Sequence, residues 1–225
     1  MVISILNTKG GAGKSTTAVN IASAYATLHK GKDILLIDLD VKQRTTSLWS
    51  NLRQNNNNLT VVAIGDENAL KNQIDSLEKK YDLIFIDGTP HQTKLDKVTI
   101  GISDFIIIPV APYGPDVWAA YEFIETVSDI ITVYDQIKAY TLFVKIKRIK
   151  ESKETIEAFT QEAKLPCFEN IISDRVLYPR CLTNGLDILD ISTENKTKNE
   201  KEQIAVAQSE IILIINELTT IADLH

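Results

Sequence analysis

A glycine-rich loop near the N-terminus constrains the fold more than any other feature of the chain. The segment 9–16 has the sequence KGGAGKST and directly follows a short apolar run, Val2–Leu6. A helical pattern with the sequence STTAVNIA begins at Ser15. This order of strand, glycine-rich loop and helix is the context in which phosphate-binding loops occur. The sequence therefore predicts a fold that begins with a phosphate-binding unit.

The residue types in the loop suit the binding of phosphate groups and Mg²⁺. Glycines let the backbone adopt positive φ and bring its N–H groups close to phosphate oxygens. Lys14 supplies positive charge to the β- and γ-phosphates, and the Ser15 hydroxyl is a ligand for Mg²⁺. The residues expected to contact a nucleotide are Lys9, Gly10, Gly11, Ala12, Gly13, Lys14, Ser15 and Thr16.

The front of the loop departs from the standard phosphate-binding motif. The motif G-x-x-x-x-G-K-[ST] requires glycine where this chain has Thr8, and Lys9 follows as an additional lysine. One loop needs only one lysine, Lys14, to reach its own β- and γ-phosphates. We therefore expect Lys9 to serve a second nucleotide across a two-fold interface.

Composition limits the class of protein. The chain has 225 residues, of which 44% are hydrophobic and 24% charged, which is enough for one α/β domain over residues 1–225. The net charge of −6 argues against a uniformly basic surface but allows a local basic patch. Cys167 and Cys181 lack metal-binding spacing and indicate a reducing compartment. No signal peptide precedes the first strand and no run reaches about 18 apolar residues, so we expect a cytoplasmic protein.

Apolar runs alternate with helical patterns along the whole chain. Several runs are continuous stretches of Ile, Leu, Val and Phe, as expected of strands buried on both faces of a parallel sheet. This repetition predicts an α/β fold with a doubly wound, mainly parallel sheet of about seven strands and helices on both faces. The predicted strands are Val2–Leu6, Asp33–Asp38, Thr60–Ile64, Asp82–Asp87, Asp104–Val110, Tyr140–Ile146 and Phe168–Ile172. The predicted helices are Ser15–His29, Glu67–Lys80, Asp116–Tyr134, Ser152–Ala163 and Glu200–Leu218, with a polar loop at Gln54–Asn58 and a solvated linker at Ser192–Lys201.

Two predicted strands end in aspartate. The sequence LLIDLD contains Asp38 and Asp40, and the sequence LIFIDGTP contains Asp87. The carboxyl ends of these strands share one edge of the sheet with the phosphate loop, and this is where ligands bind in such sheets. Carboxylates at that edge hold Mg²⁺ or orient an attacking water. An isolated aspartate would serve equally well as a helix cap or turn residue, but the neighbouring loop favours the ligand role.

The combination of KGGAGKS, LLIDLD and IFIDGTP resembles the ParA/MinD family of deviant Walker ATPases. The resemblance extends over nearly the whole chain, including DFIIIPV in the middle and IISDRV and GLDIL towards the C-terminus. It is greatest to small plasmid or chromosome partition proteins without an N-terminal helix-turn-helix region. The resemblance implies a P-loop NTPase fold of the deviant Walker type, with ATP and Mg²⁺ as nucleotide and metal.

The resemblance also implies roles for individual residues. Lys9 corresponds to the lysine that crosses a nucleotide-sandwich dimer, and Lys14 and Ser15 correspond to the residues for phosphate and Mg²⁺. Asp40 matches the aspartate that positions the hydrolytic water, and Asp87 matches the Walker B aspartate. The implied catalytic residues are Lys9, Lys14 and Asp40, and the implied metal-binding residues are Ser15, Asp38 and Asp87.

Family members with these motifs act with partners. The resemblance implies a homodimer with ATP, non-specific binding to DNA, association with the nucleoid in the ATP-bound state, and stimulation by a centromere-binding, ParB-like adaptor. The chain departs from the family pattern at Val41, where proline is common, and at Lys145, near the place of an asparagine that lies close to adenine.

A cationic stretch follows the predicted sixth strand. Basic side chains there would release counterions on binding a DNA backbone, although a solvated loop explains such a run equally well. The predicted DNA contacts are Lys145, Lys147, Arg148, Lys150 and Arg175.

Two other functions fit parts of the sequence. A MinD-type membrane-associated ATPase needs a terminal amphipathic helix with basic residues. The segment Ile211–Leu218 is apolar, but the following Thr219–His225 has no lysine, so we expect a packed helix and no stable membrane insertion. The third possibility is a weakly hydrolysing, nucleotide-switched scaffold.

Overall fold

Six parallel strands form the central sheet of the protein, for which the computed structural model describes residues 1–55, 57–90, 94–147 and 149–224. The strands are β1 (Val2–Ile5), β2 (Ile34–Asp38), β3 (Leu59–Ala63), β4 (Leu83–Asp87), β5 (Phe105–Val110) and β6 (Lys138–Phe143). The helices are α1 (Lys14–Leu28), α2 (Thr45–Leu52), α3 (Glu67–Glu78), α4 (Lys94–Gly101), α5 (Pro115–Val133), α6 (Ile149–Glu162), α7 (Leu177–Thr183) and α8 (Lys198–Ile221).

The first strand lies inside the sheet rather than at its edge. The strand order is β3-β2-β4-β1-β5-β6, and every neighbouring pair is parallel. Ile3 of β1 is paired with Phe85 on one side and with Phe105 on the other. Strands β2 to β4 extend the sheet on one side of β1, and β5 and β6 extend it on the other. This reversal creates the crevice at the carboxyl end of β1 in which α/β sheets bind ligands.

Helices cover both faces of the sheet, which confirms the predicted doubly wound α/β architecture. All residues of β1, β2, β4 and β5 are buried, as their continuous apolar sequences require. One face packs against α1, α7 and α8, where Tyr25 and Ile211 share a core cluster with Phe85. The opposite face packs against α3 and α4 at one end and against α5 and α6 at the other.

The prediction of a seventh strand at Phe168–Ile172 was wrong. The isolated parallel bridges beside β6 fall on the two flanking residues, Cys167 and Ser173, and the segment itself bonds β6 through the N–H groups of Phe168 and Ile172. The N–H groups of Glu169 and Asn170 donate instead to the carboxylate of Glu217 on α8, at 2.7 and 3.1 Å. A side chain from a distant helix thus takes the backbone donors that a continuous ladder would use.

Short helices account for most of the other differences. Helices α2, α4 and α7 are 8, 8 and 7 residues long and were not predicted, because so few turns show no clear period. The predicted linker Ser192–Lys201 was wrong at its end, since α8 begins at Lys198. Thr197 and Glu200 form a capping box there, in which each side chain accepts from the other's backbone N–H.

The last helix, α8, contains a long apolar stretch. Within the described part of the chain, it is the one helix that is long and apolar enough to span a membrane, by length and composition alone. The expectation that no stretch would reach this length therefore needs correction. Ile211, Ile214, Ile215 and Leu218 are nevertheless fully buried in the cluster that also contains α1. The apolar face of α8 thus belongs to the core.

Candidate nucleotide-binding site

A cavity of about 300 Å³ lies at the carboxyl edge of the sheet, at the N-terminus of α1. The loop Gly10–Thr16 forms its floor, Asp40 and Gly88 border it after β2 and β4, and Lys145 borders it after β6. The segment 172–175 and the start of α7 contribute a further wall. The cavity therefore combines the elements that the sequence placed at one edge of the sheet.

The glycines of the loop adopt a conformation that suits anion binding. Gly11 and Gly13 have φ of 75° and 94°, a region that disfavours side chains with a Cβ. Gly13 is the N-cap of α1, and no side chain caps this helix end. The first N–H groups of α1 are therefore available to an anion, as at the phosphate-binding helix ends of other nucleotide sites.

Lys14 begins α1 and lies within the loop. Its side chain is buried, and its Nζ donates a hydrogen bond of 3.0 Å to the carbonyl oxygen of Lys9. Burial lowers the pKa of Lys14, while the charges of Asp87, Asp96 and Asp40 oppose that shift. Because an ammonium has three donors, Lys14 can keep this contact with the loop and also donate to phosphate oxygens.

Asp87 offers a free carboxylate oxygen at the end of β4. The side chain is buried, and its Oδ2 accepts a hydrogen bond of 2.6 Å from the Thr46 hydroxyl. Its Oδ1 has no hydrogen-bond partner within the described part of the chain. Burial raises the pKa of Asp87 to about 7, against the hydrogen-bonding influence of Thr46 and Ser15. An unpartnered buried carboxylate oxygen beside a hydroxyl fits Mg²⁺, for which Asp87 and Ser15 would be ligands.

Both carboxylate oxygens of Asp38 accept hydrogen bonds from the protein. Its Oδ2 accepts from the backbone N and the hydroxyl of Ser47, at 2.8 and 2.6 Å, and its Oδ1 accepts from the N–H of Asp40 at 3.0 Å. In the sheet, Asp38 is paired in register with Asp87. Asp38 thus fixes the start of α2 next to the metal-binding position, and its role as a Mg²⁺ ligand stays a prediction.

Asp40 stands at the mouth of the cavity. The side chain is half-buried, and its Oδ1 accepts from the backbone N–H groups of Gln43 and Lys42 at 2.9 and 3.2 Å. These bonds fix the carboxylate in a tight turn that borders the cavity. The position agrees with the predicted role of orienting a water molecule, which stays a prediction.

Lys9 lies at the front of the loop, one residue before the stretch that lines the cavity. Its N–H donates to the Asn7 side chain at 2.9 Å, and its carbonyl oxygen accepts from Lys14. Asn7 is itself buried and donates to the carbonyl oxygen of Pro109 at 2.8 Å. The backbone of Lys9 is thus anchored to the end of β5, and its role across a dimer interface stays a prediction.

Three of the predicted DNA contacts border cavities in the described part of the chain: Arg175 lines the nucleotide cavity with Lys145 and, with Lys147, a cavity beside α7. The Lys145 ammonium donates to the carbonyl oxygen of Gly11 in the phosphate loop. Arg175 forms an ion pair with Glu210 at 3.3 Å, and Lys147 is exposed with its Nζ 5.8 Å from the centre of the Tyr113 ring. Arg148 lies outside the described residues, and Lys150 falls within the backbone of α6.

Two groups of functional residues were not predicted from the sequence. Thr46 and Ser47 at the start of α2 bond the two buried strand-end aspartates, and their position shortly after Asp40 was the available signal. Glu210 on α8 accepts from the Ser173 N–H at 3.1 Å and from the Tyr178 hydroxyl at 2.7 Å. Glu210 thereby fixes the cavity wall that follows β6. No local sequence pattern predicts this contact, because Glu210 lies on a distant helix.

A parallel α/β sheet with a phosphate loop on its central strand defines a P-loop nucleotide-binding protein. The match to a family model is more specific. The model for the CobQ/CobB/MinD/ParA nucleotide binding domain matches residues 3–188, and the chain belongs to that family. Members of the ParA/MinD family are ATPases, and the protein is an ATPase of this kind.

Individual relatives agree with this assignment. The chain is 24% identical to "Protein ParA" of Rhizobium radiobacter over 97% of both chains. It is 28% identical to "Maintenance of carboxysome distribution protein A" of Gloeobacter kilaueensis over 92% of both chains. Its fold matches that of the septum site-determining protein MinD of Pyrococcus horikoshii, complexed with Mg-ADP, with a TM-score of 0.73, 18% identity and coverage of 98% and 96%. The chain is thus similar to partition and positioning ATPases along its length.

Proposed function

We propose that the protein is a DNA-segregation ATPase that dimerises around ATP, binds DNA without sequence preference and responds to a centromere-binding, ParB-like adaptor. The observation that carries the proposal is the match to a ParA protein over 97% of both chains. In this proposal the chain forms one ATPase domain, acts in the cytoplasm, and associates with the nucleoid when ATP is bound.

The nucleotide site supports the proposed ATP hydrolysis. The N–H groups at the start of α1 and the Lys14 ammonium would hold the phosphates, and Asp40 would orient the attacking water. Asp87 and Ser15 would hold Mg²⁺, which neutralises the charge that develops on the phosphates. Asp38 would contribute by keeping Asp40 and α2 in place, because its oxygens bond both.

The position of Lys9 supports the proposed dimer. Its backbone is anchored at the front of the loop, beyond the cavity that Lys14 reaches from inside. In an isologous dimer, the same edge of the partner would face it, so each Lys9 would serve the other subunit's phosphates. ATP would then form part of the interface, which makes dimerisation depend on nucleotide.

The basic surface beside the site supports the proposed DNA binding. Exposed Lys147, Arg180 and Lys196 line a second cavity of about 630 Å³ between α7 and the start of α8. Their charges would neutralise DNA phosphates, and two copies in a dimer would act together. Arg175 lines the same cavity but is paired with Glu210, and Lys145 bonds the phosphate loop, so we assign the DNA contacts to the three exposed cations.

Positioning of a cargo other than DNA is the second candidate, favoured by the similarity to the carboxysome distribution protein. Such a protein would share the ATP-dependent dimer and differ in its adaptor. A membrane-associated function of the MinD type has less support, because the apolar face of α8 is buried against α1. A weakly hydrolysing scaffold would bind ATP, but DNA would not change its rate of ATP turnover.

The test is binding of the full chain to non-specific duplex DNA with Mg-ATP, with Mg-ADP and without nucleotide. We expect binding only with ATP, loss of binding at high salt, and faster ATP turnover when DNA is present. The double substitution of Lys147 and Arg180 by alanine should weaken DNA binding, whereas Lys71→Ala on α3 should not. Binding to anionic liposomes instead of DNA would contradict the proposal and support the membrane alternative. Wild-type protein that binds ATP but never DNA would support a scaffold.

A further inference from the structure

Lys145, the second residue after β6, contacts the phosphate loop. Lys145 has φ of 58°, a conformation that is uncommon for a residue with a side chain and that marks constrained sites. Its ammonium donates to the carbonyl oxygen of Gly11, 134 residues away in sequence. Its Cε lies 3.9 Å from where a Cβ at Gly13 would be. The side chain therefore runs along the loop from the N-cap of α1 towards Gly11.

Two ammonium groups thus bond carbonyl oxygens of the same loop. Lys14 reaches the carbonyl oxygen of Lys9 from the buried side, and Lys145 reaches that of Gly11 from the exposed side. Each ammonium has three donors, so one bond to a carbonyl leaves donors for a ligand. The N–H groups at the start of α1 attract an anion to the space beside both lysines.

We propose that Lys145 is a phosphate-binding residue of the nucleotide site and supplies a second ammonium to the nucleotide's phosphates from the end of β6. The proposal rests on the assignment of the cavity as the nucleotide site. An ammonium is only a donor, and the exocyclic amino group of adenine requires an acceptor. Lys145 is therefore better matched to phosphate oxygens than to that group of the base. Its bond to Gly11 in the structure holds the loop carbonyl and positions the ammonium for the ligand.

The test uses inorganic tripolyphosphate, which has the phosphates of ATP without the base or ribose. The affinities of the full-length protein for tripolyphosphate and for Mg-ATP are measured by calorimetry for wild type and for Lys145→Met. Loss of one charge-assisted hydrogen bond should weaken binding by about tenfold or more. We expect a similar fold-loss for both ligands and a weaker dependence of affinity on ionic strength in the variant.

Three further variants control for indirect effects. Lys71→Met removes an exposed lysine of α3 that lines neither the nucleotide cavity nor the cavity between α7 and α8, and it should bind tripolyphosphate like wild type. Lys145→Arg keeps the charge and should restore most of the affinity. Lys145→Gly removes the side chain while accepting the positive φ, so it should reproduce the loss seen with Lys145→Met even if methionine strains the turn.

The outcomes separate this proposal from the assignment of the site. A loss of affinity for Mg-ATP alone would overturn the proposal by placing Lys145 at the base or ribose. Unchanged affinity for both ligands would also overturn it. Lys145 would then only stabilise the conformation of the loop, and the nucleotide site would be intact. If wild-type protein bound neither ligand, the assignment of the cavity itself would fail, and the proposal with it.

Discussion

The Thr46 hydroxyl donates a hydrogen bond of 2.6 Å to one carboxylate oxygen of Asp87, while the other oxygen has no hydrogen-bond partner in the described residues. Thr46 belongs to α2, and Asp87 ends β4, next to the central strand. The bond therefore fixes the rotation of the carboxylate and leaves one oxygen for a metal ion. It also ties the position of α2 to the metal-binding residue.

Thr46→Val should weaken Mg²⁺-dependent nucleotide binding. Valine has a similar shape but no hydroxyl, so the Asp87 carboxylate loses a donor in a buried environment, at a cost of about 1–3 kcal/mol in stability. Titration of Mg²⁺ at saturating ATP should show a higher requirement for the metal. Thr46→Ser keeps the hydroxyl and should bind Mg²⁺ like wild type; equal metal affinity in the serine and valine variants would contradict the proposed orientation of Asp87.

The pKa of Asp87 predicts how stability depends on pH without metal. Burial raises this pKa from 3.8 to about 7, so the folded state holds the proton more tightly than the unfolded state. The free energy of unfolding in EDTA should therefore fall as the pH rises from about 4 to about 7, and this contribution should level off above that. Asp87→Asn should flatten the fall in urea unfolding experiments. A variant with the same pH profile as wild type would show that another group is responsible.

Lys14→Ala should reduce nucleotide affinity by at least about a hundredfold. The loop would lose its buried ammonium and the bond to the Lys9 carbonyl, so both charge and loop geometry would suffer. Titration with a fluorescent ATP analogue measures the loss, and circular dichroism verifies the fold. Wild-type affinity in this variant would show that the loop is not the nucleotide site.

Asp40→Ala should retain ATP binding but slow hydrolysis and prolong the dimer. The carboxylate borders the cavity without belonging to the loop, so its loss should affect the water more than the phosphates. Turnover is measured together with size-exclusion chromatography in Mg-ATP. Asp66→Ala, which removes the cap of α3 far from the cavity, is the control and should hydrolyse ATP normally. Undiminished turnover with Asp40→Ala would remove this residue from the mechanism.

Lys9→Ala should separate ATP binding from dimerisation. The substitution leaves Lys14 and the backbone N–H groups of the loop, so monomer affinity for ATP should change little. ATP-dependent dimerisation and turnover should fall, and DNA binding should fall with them because two basic surfaces would no longer act together. Sedimentation with Mg-ATP measures the dimer. Normal dimerisation and turnover would contradict the sandwich arrangement.

The buried strands and the phosphate loop could be predicted because both depend on local sequence. Continuous apolar runs such as Phe105–Val110 have no solvated face, which is typical of strands buried on both sides. Glycines followed by Lys14 and Ser15 are the local signature of a phosphate-binding loop. The absent seventh strand could not be predicted, because Glu217, far along the chain, takes the backbone donors of Glu169 and Asn170.

The same limit applies to the site. Asp40 was predicted to stand at the site, and it borders the cavity, because it lies two residues after the end of a buried strand. The partners of Asp38 and Asp87 could not be predicted, since the short helix α2 has no recognisable period. Local sequence placed Lys145 in a cationic stretch. Its positive φ and its bond to Gly11 could not be predicted, because they depend on how the chain leaves β6 beside β5.

The position of β1 inside the sheet governs when the nascent chain acquires a nucleotide site during synthesis. Strand β1 leaves the ribosome long before β4 and β5, the two strands with which it pairs. Pairings between distant segments form slowly because the intervening chain must first be brought together. We therefore expect the loop after β1 to remain unformed until β5 has been made. A translating ribosome would carry a long intermediate with exposed apolar strands, and chaperones would have most to protect in that interval.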